Sequence, residues 1–354
     1  MASVEESETD AGVGRMLRET GERLFAQHLD AAALRAAEQG VWPAAAWQAA
    51  VDAGLPQALL PESAGGFGVA AADALTLLRV AASNAAPLPL AETMLASWLL
   101  ARAGLPVPDG VLSLAVADVL RRDGAGWRAD GIAERVAWGR RADVVVLHAT
   151  IGGAPHLALL PRGAWRAEHG ENVAREPRDR LHIAATLDAA AVRPVDLDAD
   201  AVMAAGAAMR TQQIAGALTR VTAMTVGYAQ DRVQFGRAIG KFQAVQQSLA
   251  VLAGQSAAAV AAADLAAEAF DAGRILPIAA AKARAGEAAG IAAGIAHQIH
   301  GAIGFTYEHS LHFLTKRLWS WRDEWGNEAV WNARLGAHLA RAGADGLWAE
   351  ITAA

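Results

Sequence analysis

The sequence contains no cysteine, and this absence excludes several kinds of chemistry. Disulfides, thiolate metal sites and a cysteine nucleophile are all ruled out. Any reaction must therefore use carboxylates, histidine, arginine, glutamine or a bound cofactor.

Three other features are missing. The net charge is -6, so the basic footprint of a nucleic-acid-binding protein is lacking. No uninterrupted apolar run reaches the roughly 18 residues that would span a bilayer. The acidic N-terminus, MASVEESETDAG, has no basic-then-apolar signal pattern. We expect a cytoplasmic protein that binds neither nucleic acid nor membrane.

The 354 residues divide into three parts by their pattern. Residues 1–105 are predicted to be helical because apolar residues recur every three or four positions, with a loop at LLPESAGGFG, 59–68. Residues 106–198 carry short β-type runs, VLSLAVA, DVVVLHA and HLALLPR, separated by glycine-rich turns. Residues 199–354 return to helix, with long helices expected at 200–232, 241–271, 276–300 and 327–353. The prediction is a mainly α fold with a middle β domain.

The segment YAQDRVQFGRAIGKFQAVQQSLA, 228–250, contains a broken helix. Arg232 and Gln234 lie at a predicted helix end beside Gly236, where a guanidinium can fork onto a pyrophosphate and the glycine permits close approach. The alternative is a plain helix–turn–helix with a solvated arginine and a core phenylalanine.

The segment HQIHGAIGFTYEHSLHFLTKRLW, 297–319, ends an alanine-rich helix in a glycine-loosened turn. Its histidines could be paired as metal ligands, but no suitably placed third ligand follows, so no metal site is predicted. The alternative interpretation is a helix cap at Gly301 followed by a surface turn.

Together these segments resemble the acyl-CoA dehydrogenase family. RVQFGRAIGKFQAVQ is similar to the family's flavin-contacting signature, QIHGAIGFTYEH to its second signature, and LLPESAGGFG to a third feature. They occur in the family's order and at about its spacing, over essentially the whole chain. The resemblance implies an N-terminal helical domain (1–105), a β-barrel-like middle domain (106–198) and a C-terminal four-helix bundle (199–354).

The resemblance also implies a cofactor, partners and contacts. FAD would lie between the middle and C-terminal domains, and the protein would take an acyl-CoA and pass electrons to an electron-transfer flavoprotein. It would be a homodimer or homotetramer, or a heterotetramer with a paralogue. Trp138 would stack on the flavin or fill the barrel core. The first signature would contact FAD through Arg232, Gln234, Phe235, Phe242 and Gln243. The second would contact the FAD of a neighbouring subunit through Gln298, His300, Gly301 and Ala302.

The sequence departs from the family at its catalytic base. Family members remove a proton beside the thioester with a buried carboxylate, commonly a glutamate before a glycine. Here Trp325 precedes that glycine, and the alternative base position falls at about Gly206. The nearest acids are Asp323 and Glu324, which we take as candidate bases, with Glu308 having less support. Either could instead pair with Arg322 or Lys316 on a surface turn.

Two functions follow from this departure. The first is an FAD-dependent dehydrogenase that makes a 2,3-enoyl-CoA with Asp323 or Glu324 as base. The second is a flavin-binding partner subunit of a heteromeric enzyme, in which another chain supplies the base. A scaffold without flavin is disfavoured, because helix packing does not require Arg232 or Gln298. The flavin loop that is usual in the family's middle domain is also absent at 114–126. The small residues Gly206, Ala207 and Ala208 would leave room for a bulky acyl group.

Overall fold

The computed structural model describes residues 2–352, with side chains for 12–346, 348 and 349. The chain forms two compact units. The first comprises Met1–Leu24, Arg35–Ala74 and Pro87–Met203, and the second Phe25–Leu34, Leu75–Ala86 and Ala204–Ala354. The predicted division into three domains remains a prediction.

The N-terminal part is helical, as expected. Its helices are α1 (Ala2–His28), α2 (Ala31–Glu38), α3 (Ala44–Asp52), α4 (Ala71–Ser83) and α5 (Leu90–Arg102). The predicted loop at 59–68 lies between α3 and α4 and contains one short 3-10 turn, Glu62–Ala64. Pro61 and the glycines at 65, 66 and 68 keep this segment from continuing as helix.

The middle part is built of β-strands. They are β1 (Leu112–Val116), β2 (Leu120–Asp123), β3 (Gly126–Ala137), β4 (Val144–Ile151), β5 (Ala154–Pro161), β6 (Trp165–Glu168), β7 (Arg178–Leu187) and β8 (Val192–Pro194). They form two four-stranded sheets, ordered β1-β4-β5-β8 and β2-β3-β7-β6. Side chains of both sheets share one core that includes Trp127, Leu147 and Leu181.

The predicted class, mainly α with a middle β domain, is confirmed. The barrel-like form is not, because among the described residues the strands form two separate sheets and neither closes on itself. The three predicted β runs correspond to β1, β4 and β5. Strands β3 and β7 were not among the predicted runs, since charged and small residues interrupt their apolar alternation.

The C-terminal part is helical again. Its helices are α6 (Ala199–Asp231), α7 (Gln243–Asp271), α8 (Ile275–His300), α9 (Leu311–Asp323) and α10 (Glu328–Thr352), and a short hairpin of β9 (Val233–Gln234) and β10 (Arg237–Ala238) follows α6. The four predicted long helices correspond to α6, α7, α8 and α10. Helix α9 was missed, although Leu311, Leu314, Leu318 and Trp321 recur at helical spacing and are all buried.

Helix α7 bears on the expectation that no apolar run of this chain is long enough to span a bilayer. An 18-residue window of α7 has a mean hydropathy of 1.5, so by length and composition alone this helix could cross a membrane. Core helices of globular proteins meet the same criterion. The many alanines of α7 produce this hydropathy value. Alanine also has a high helix propensity, and its small side chain allows helices to pack closely.

Candidate active site

Of the two predicted acids, Asp323 is the last residue of α9 and Glu324 the first residue after it; we call the end of α9 and the residues that follow the Arg322–Gly326 turn. Its backbone is held by buried side chains. Lys282 Nζ donates to the carbonyls of Arg322 (2.6 Å) and Gly326 (2.8 Å), and the Trp331 indole donates to the carbonyl of Trp325 (2.9 Å). Lys282 and Trp331 are almost wholly buried. The turn therefore has a fixed course, even though Trp325 adopts a left-handed backbone conformation (φ 56°).

The Glu324 carboxylate forms an ion pair with a buried arginine. Its Oε2 accepts a hydrogen bond from Arg210 Nε at 2.8 Å, and the exposed fractions of the Arg210 and Glu324 side chains are 3% and 9%. Arg210 also donates to Gln213 on the next turn of α6. A carboxylate whose charge is already neutralised by a buried guanidinium is a weak proton acceptor.

Asp323 and Glu308 are exposed, so neither has the buried setting that a carboxylate base requires. Glu324 pairs with Arg210 on α6, a partner that the expected pairing of these acids with Arg322 or Lys316 did not include. Arg322 instead donates to Glu328 at 2.7 Å, and this hydrogen bond raises the pKa of Arg322.

Trp325, which precedes Gly326, packs against Gly206, near which the resemblance implies an alternative base position. A methyl group added at Gly206 would lie 2.3 Å from Cδ2 of Trp325, so the indole rests directly on the backbone of α6. Only glycine allows this approach. The room expected near Gly206 is therefore taken up, since Ala207 and Ala208 are buried as well.

Burial of Lys282 lowers its pKa from 10.5 to about 8. The unfolded chain then binds more protons than the folded chain between pH 8 and 10.5, so this group makes folding more favourable as pH rises through that window. We expect the free energy of unfolding of the wild type, minus that of Lys282→Met, to increase from pH 8 to pH 10.5. Denaturant titrations at several pH values measure it. Lys316→Met, at a half-buried lysine outside the turn, is the matched control for the loss of a lysine.

The first signature forms the β9–β10 hairpin. Phe235 (φ 51°) and Gly236 (φ 78°) make its two-residue tip, a conformation that such hairpins favour. The Phe235 ring is 93% exposed, and Phe242 is half-buried beneath the Arg237 guanidinium, which lies 4.1 Å from its ring centroid. Neither phenylalanine is a core residue, against the plain helix–turn–helix interpretation. Arg232, Gln234 and Gln243 are exposed beside them.

The second signature spans the end of α8 and the 3-10 turn Gly301–Phe305. Gln298, Gly301 and Ala302 are exposed, whereas His300 is buried with its ring stacked on Tyr228 at 4.5 Å. His300 Nδ1 lies 2.8 Å from the carbonyl of Ala296 and donates to it, so Nε2 is an acceptor. Within the part of the chain that the structure describes, that buried Nε2 has no hydrogen-bond partner.

The histidines of this signature lie in a cluster of aromatic rings. In the described residues no group of three or more His, Cys, Asp or Glu side chains could hold a metal ion. They form aromatic contacts instead: His297 lies between Phe305 and Trp319, with centroids 4.2 and 5.6 Å away, and His309 contacts His300 edge-on.

Burial lowers the pKa of His297, His300 and His309, and neighbouring histidines lower those of His297 and His309 further. A lowered folded-state pKa gives stability that is present above the unfolded value of 6.5 and is lost as pH falls below it. We expect the melting temperature to fall below pH 6.5, and less steeply in a His297→Gln/His300→Gln variant. Calorimetry from pH 5 to 8 tests this. His169→Gln, at an exposed histidine, should retain the wild-type acid dependence.

Trp138 belongs to the first compact unit. It follows β3 with a left-handed backbone (φ 57°), is buried, and meets the Trp42 ring edge-on at 5.9 Å. It lies outside the group of residues that forms the shared core of the two sheets. Its predicted contact with flavin remains a prediction.

Sequence reasoning did not predict that three residues contact the Arg322–Gly326 turn: Arg210, Lys282 and Trp331. A signal for two of them was present. Arg210 is the one charge in the alanine-rich helical segment AAGAAMRTQQ, and Lys282 lies in the similar segment PIAAAKARAG, where a buried cation is costly unless it has a partner.

Comparisons with known proteins identify the family of this chain. Residues 199–328 match the C-terminal domain of acyl-CoA dehydrogenases, and residues 14–106 match their N-terminal domain. The chain belongs to the acyl-CoA dehydrogenase family, and the resemblance drawn from the sequence is confirmed.

Among its relatives is acyl-CoA dehydrogenase IpdE2 from Mycobacterium tuberculosis, 33% identical over 311 residues that cover 86% of this chain and 90% of the relative. The ChsE4-ChsE5 complex from the same organism has a chain with a TM-score of 0.83 at 24% identity, covering 94% of this chain and 98% of that one. Butyryl-CoA dehydrogenase from Megasphaera elsdenii gives a TM-score of 0.85 at 17% identity, covering 93% and 98%. These two structures share the fold.

Proposed function

We propose that this chain is the flavin-binding subunit of a heteromeric acyl-CoA dehydrogenase and that a second, homologous chain supplies the catalytic base. The proposal is supported chiefly by the buried Arg210–Glu324 ion pair. Glu324 is the best-placed carboxylate near the expected base position, and its charge is already neutralised by the Arg210 guanidinium. The two base positions themselves hold Trp325 and Gly206, neither of which can accept a proton.

The proposed cofactor is FAD, and the exposed donors of both signatures suit it. The Arg232 guanidinium and the amides of Gln234, Gln243 and Gln298 are accessible, as a diphosphate and an adenine require. Gly301 has a backbone conformation (φ 63°, ψ -145°) that only glycine adopts readily, and it is exposed, so its main chain can approach a ligand. The buried acceptor His300 Nε2 can take a ligand hydroxyl. The residues proposed to contact FAD also include Phe235, Phe242, Ala302 and Trp138.

In the proposed reaction, an acyl-CoA becomes the 2,3-enoyl-CoA. Bound FAD supplies the hydride acceptor for this oxidation. This chain contributes exposed donors that bind and orient the cofactor, while the partner chain's carboxylate removes the proton beside the thioester. We propose an electron-transfer flavoprotein as the electron acceptor and the cytoplasm as the compartment. The structurally similar ChsE4-ChsE5 complex supports a heteromer.

The test compares the chain alone with the assembled pair. FAD-loaded protein is mixed without oxygen with a panel of acyl-CoAs, and the flavin band near about 450 nm is followed. We expect no bleaching by the chain alone, and bleaching once a homologue with glutamate at the position of Trp325 is added.

Rapid bleaching of the chain alone would instead favour the self-sufficient dehydrogenase with Asp323 or Glu324 as base. Asp323→Asn and Glu324→Gln would then identify which carboxylate acts. If the purified chain neither carries nor takes up FAD, alone or with the homologue, the flavoprotein assignment itself is wrong.

A further inference from the structure

We propose that the groove between α6 and α7 is a further binding site of this chain, which takes a neutral molecule with an apolar chain and an ester oxygen. The groove has a volume of about 540 Å³, within the range of about 300–1,000 Å³ that ligand sites occupy. Its wall on α7 extends from Ala253 to Asp264, which is about 16 Å of helix. The groove shares no lining residue with the two signatures or the Arg322–Gly326 turn, so this site lies beyond the proposed function.

The walls of the groove are mostly small and apolar. Four alanines and a valine line it: Ala223, Ala253, Ala257, Ala261 and Val260. Among the described residues that line the groove, the only charged one is Asp264, whose carboxylate pairs with Arg79 on α4. Apolar walls favour an apolar chain, and because this charge already has a partner, the groove favours a neutral ligand over an ion.

Two hydroxyl groups in the groove differ from the others on these helices. Six serine and threonine hydroxyls of α6, α7 and α9 donate to the carbonyl four residues earlier, a common bond in helices: Thr211, Thr219, Thr225, Ser248, Thr315 and Ser320. Within the described part of the chain, the hydroxyls of Thr222 on α6 and Ser256 on α7 make no hydrogen bond. Both residues line the groove.

These two hydroxyls point to a ligand with oxygen acceptors. Ser256 is only 8% exposed, and the Thr222 oxygen is buried. A buried hydroxyl without a partner costs free energy, and a ligand oxygen that accepts from it removes that cost. Since Thr222 and Ser256 lie on opposite helices of one groove, a bound ester can accept from both walls while its aliphatic chain contacts the alanines.

The test is isothermal titration of the full-length chain, with FAD present, using methyl decanoate as the probe. We expect saturable binding to the wild type. Thr222→Val and Ser256→Ala should each weaken it about fivefold, because the loss of one ordinary hydrogen bond corresponds to such a factor. Ala257→Phe should abolish binding, since Ala257 is an exposed wall residue and the larger ring fills the groove without entering the core.

Two variants are matched controls for the loss of a hydroxyl. Thr219→Val changes a residue of the same groove whose hydroxyl already donates to the carbonyl of Ala215. Ser248→Ala changes a residue of α7 outside the groove whose hydroxyl donates to the carbonyl of Ala244. Both should bind methyl decanoate like the wild type. All the variants keep or enlarge a surface side chain, and circular dichroism checks that each is folded.

The proposal is wrong if the wild type shows no saturable binding of methyl decanoate, or if folded Thr222→Val and Ser256→Ala bind it as tightly as the two controls. Sedimentation of the same proteins tests whether another chain covers the groove instead, because α7 is apolar and its most apolar window is only 33% buried. A smaller assembly for Ala257→Phe than for the wild type would identify a contact between chains and overturn the ligand site. None of these measurements depends on flavin reduction, so they leave the bleaching test independent.

Discussion

Trp325→Glu is expected to give this chain acyl-CoA-dependent flavin bleaching at a rate about a hundredfold or more above the wild type. A positioned general base contributes typically 10²–10⁴ in rate, and this substitution places a carboxylate before the glycine. It also removes the indole from Gly206. The left-handed backbone at position 325 is kept, because Lys282 and Trp331 bind the main chain of the turn and not the Trp325 side chain.

The measurement is anaerobic stopped-flow absorbance of the FAD-loaded variant with octanoyl-CoA. Trp325→Gln is the matched control, since it has nearly the same shape and no ionisable group, and it should bleach no faster than the wild type. Where the chain is stable only with its partner, the partner's own base is replaced by glutamine so that it contributes no background. Equal rates for the glutamate and glutamine variants would contradict the assignment of this position as a vacant base site.

Glu324→Ala is expected to lower the free energy of unfolding by about 3–5 kcal/mol, as removal of one partner of a buried ion pair does. The loss arises because the Arg210 guanidinium is buried and its charge would lose the carboxylate that neutralises it. Lys282 lies in the same buried group of charges, and the Glu324 carboxylate favours its protonated form. Denaturant unfolding at pH 7 measures the change.

A double variant distinguishes the contribution of the two charges to stability from the contribution of side-chain packing. Arg210→Met/Glu324→Leu replaces both charges by apolar groups of similar size, and such replacements are often neutral or stabilising. It should recover most of the stability lost in Glu324→Ala. Glu287→Ala, which removes an exposed carboxylate paired with Arg284, should cost about 0–1 kcal/mol. A loss of that small size for Glu324→Ala would mean that the pair is not buried in solution.

The fold could be predicted from the sequence where one residue pattern dominates a long segment. Helices α6, α7 and α8 are long alanine-rich segments that end near glycines, so their existence and approximate ends could be deduced. Helix α9 was harder, because histidines and tryptophans dilute its apolar periodicity. The pairing of β3 with β7, which are more than 40 residues apart, depends on long-range contacts that no local pattern reports.

The candidate site shows a similar division. The signatures and the departure at Trp325 are local patterns and could be identified from the sequence. The partner of Glu324 could not, because Arg210 is 114 residues away and the local alternative, Arg322, has its own acid in Glu328. The filling of Gly206 was likewise unpredictable, since a small residue is compatible with an open space or with a bulky neighbour from elsewhere in the chain.

The contact between Trp325 and Gly206 also constrains the order in which this chain could regain a carboxylate during evolution. At position 325 a glutamate can replace the tryptophan in one step, because nothing on α6 opposes the smaller side chain. At position 206 even a methyl group would overlap the indole, so an acid there becomes tolerable only after Trp325 has changed. Position 325 can therefore take an acid by one amino-acid replacement, whereas position 206 is blocked until Trp325 has changed.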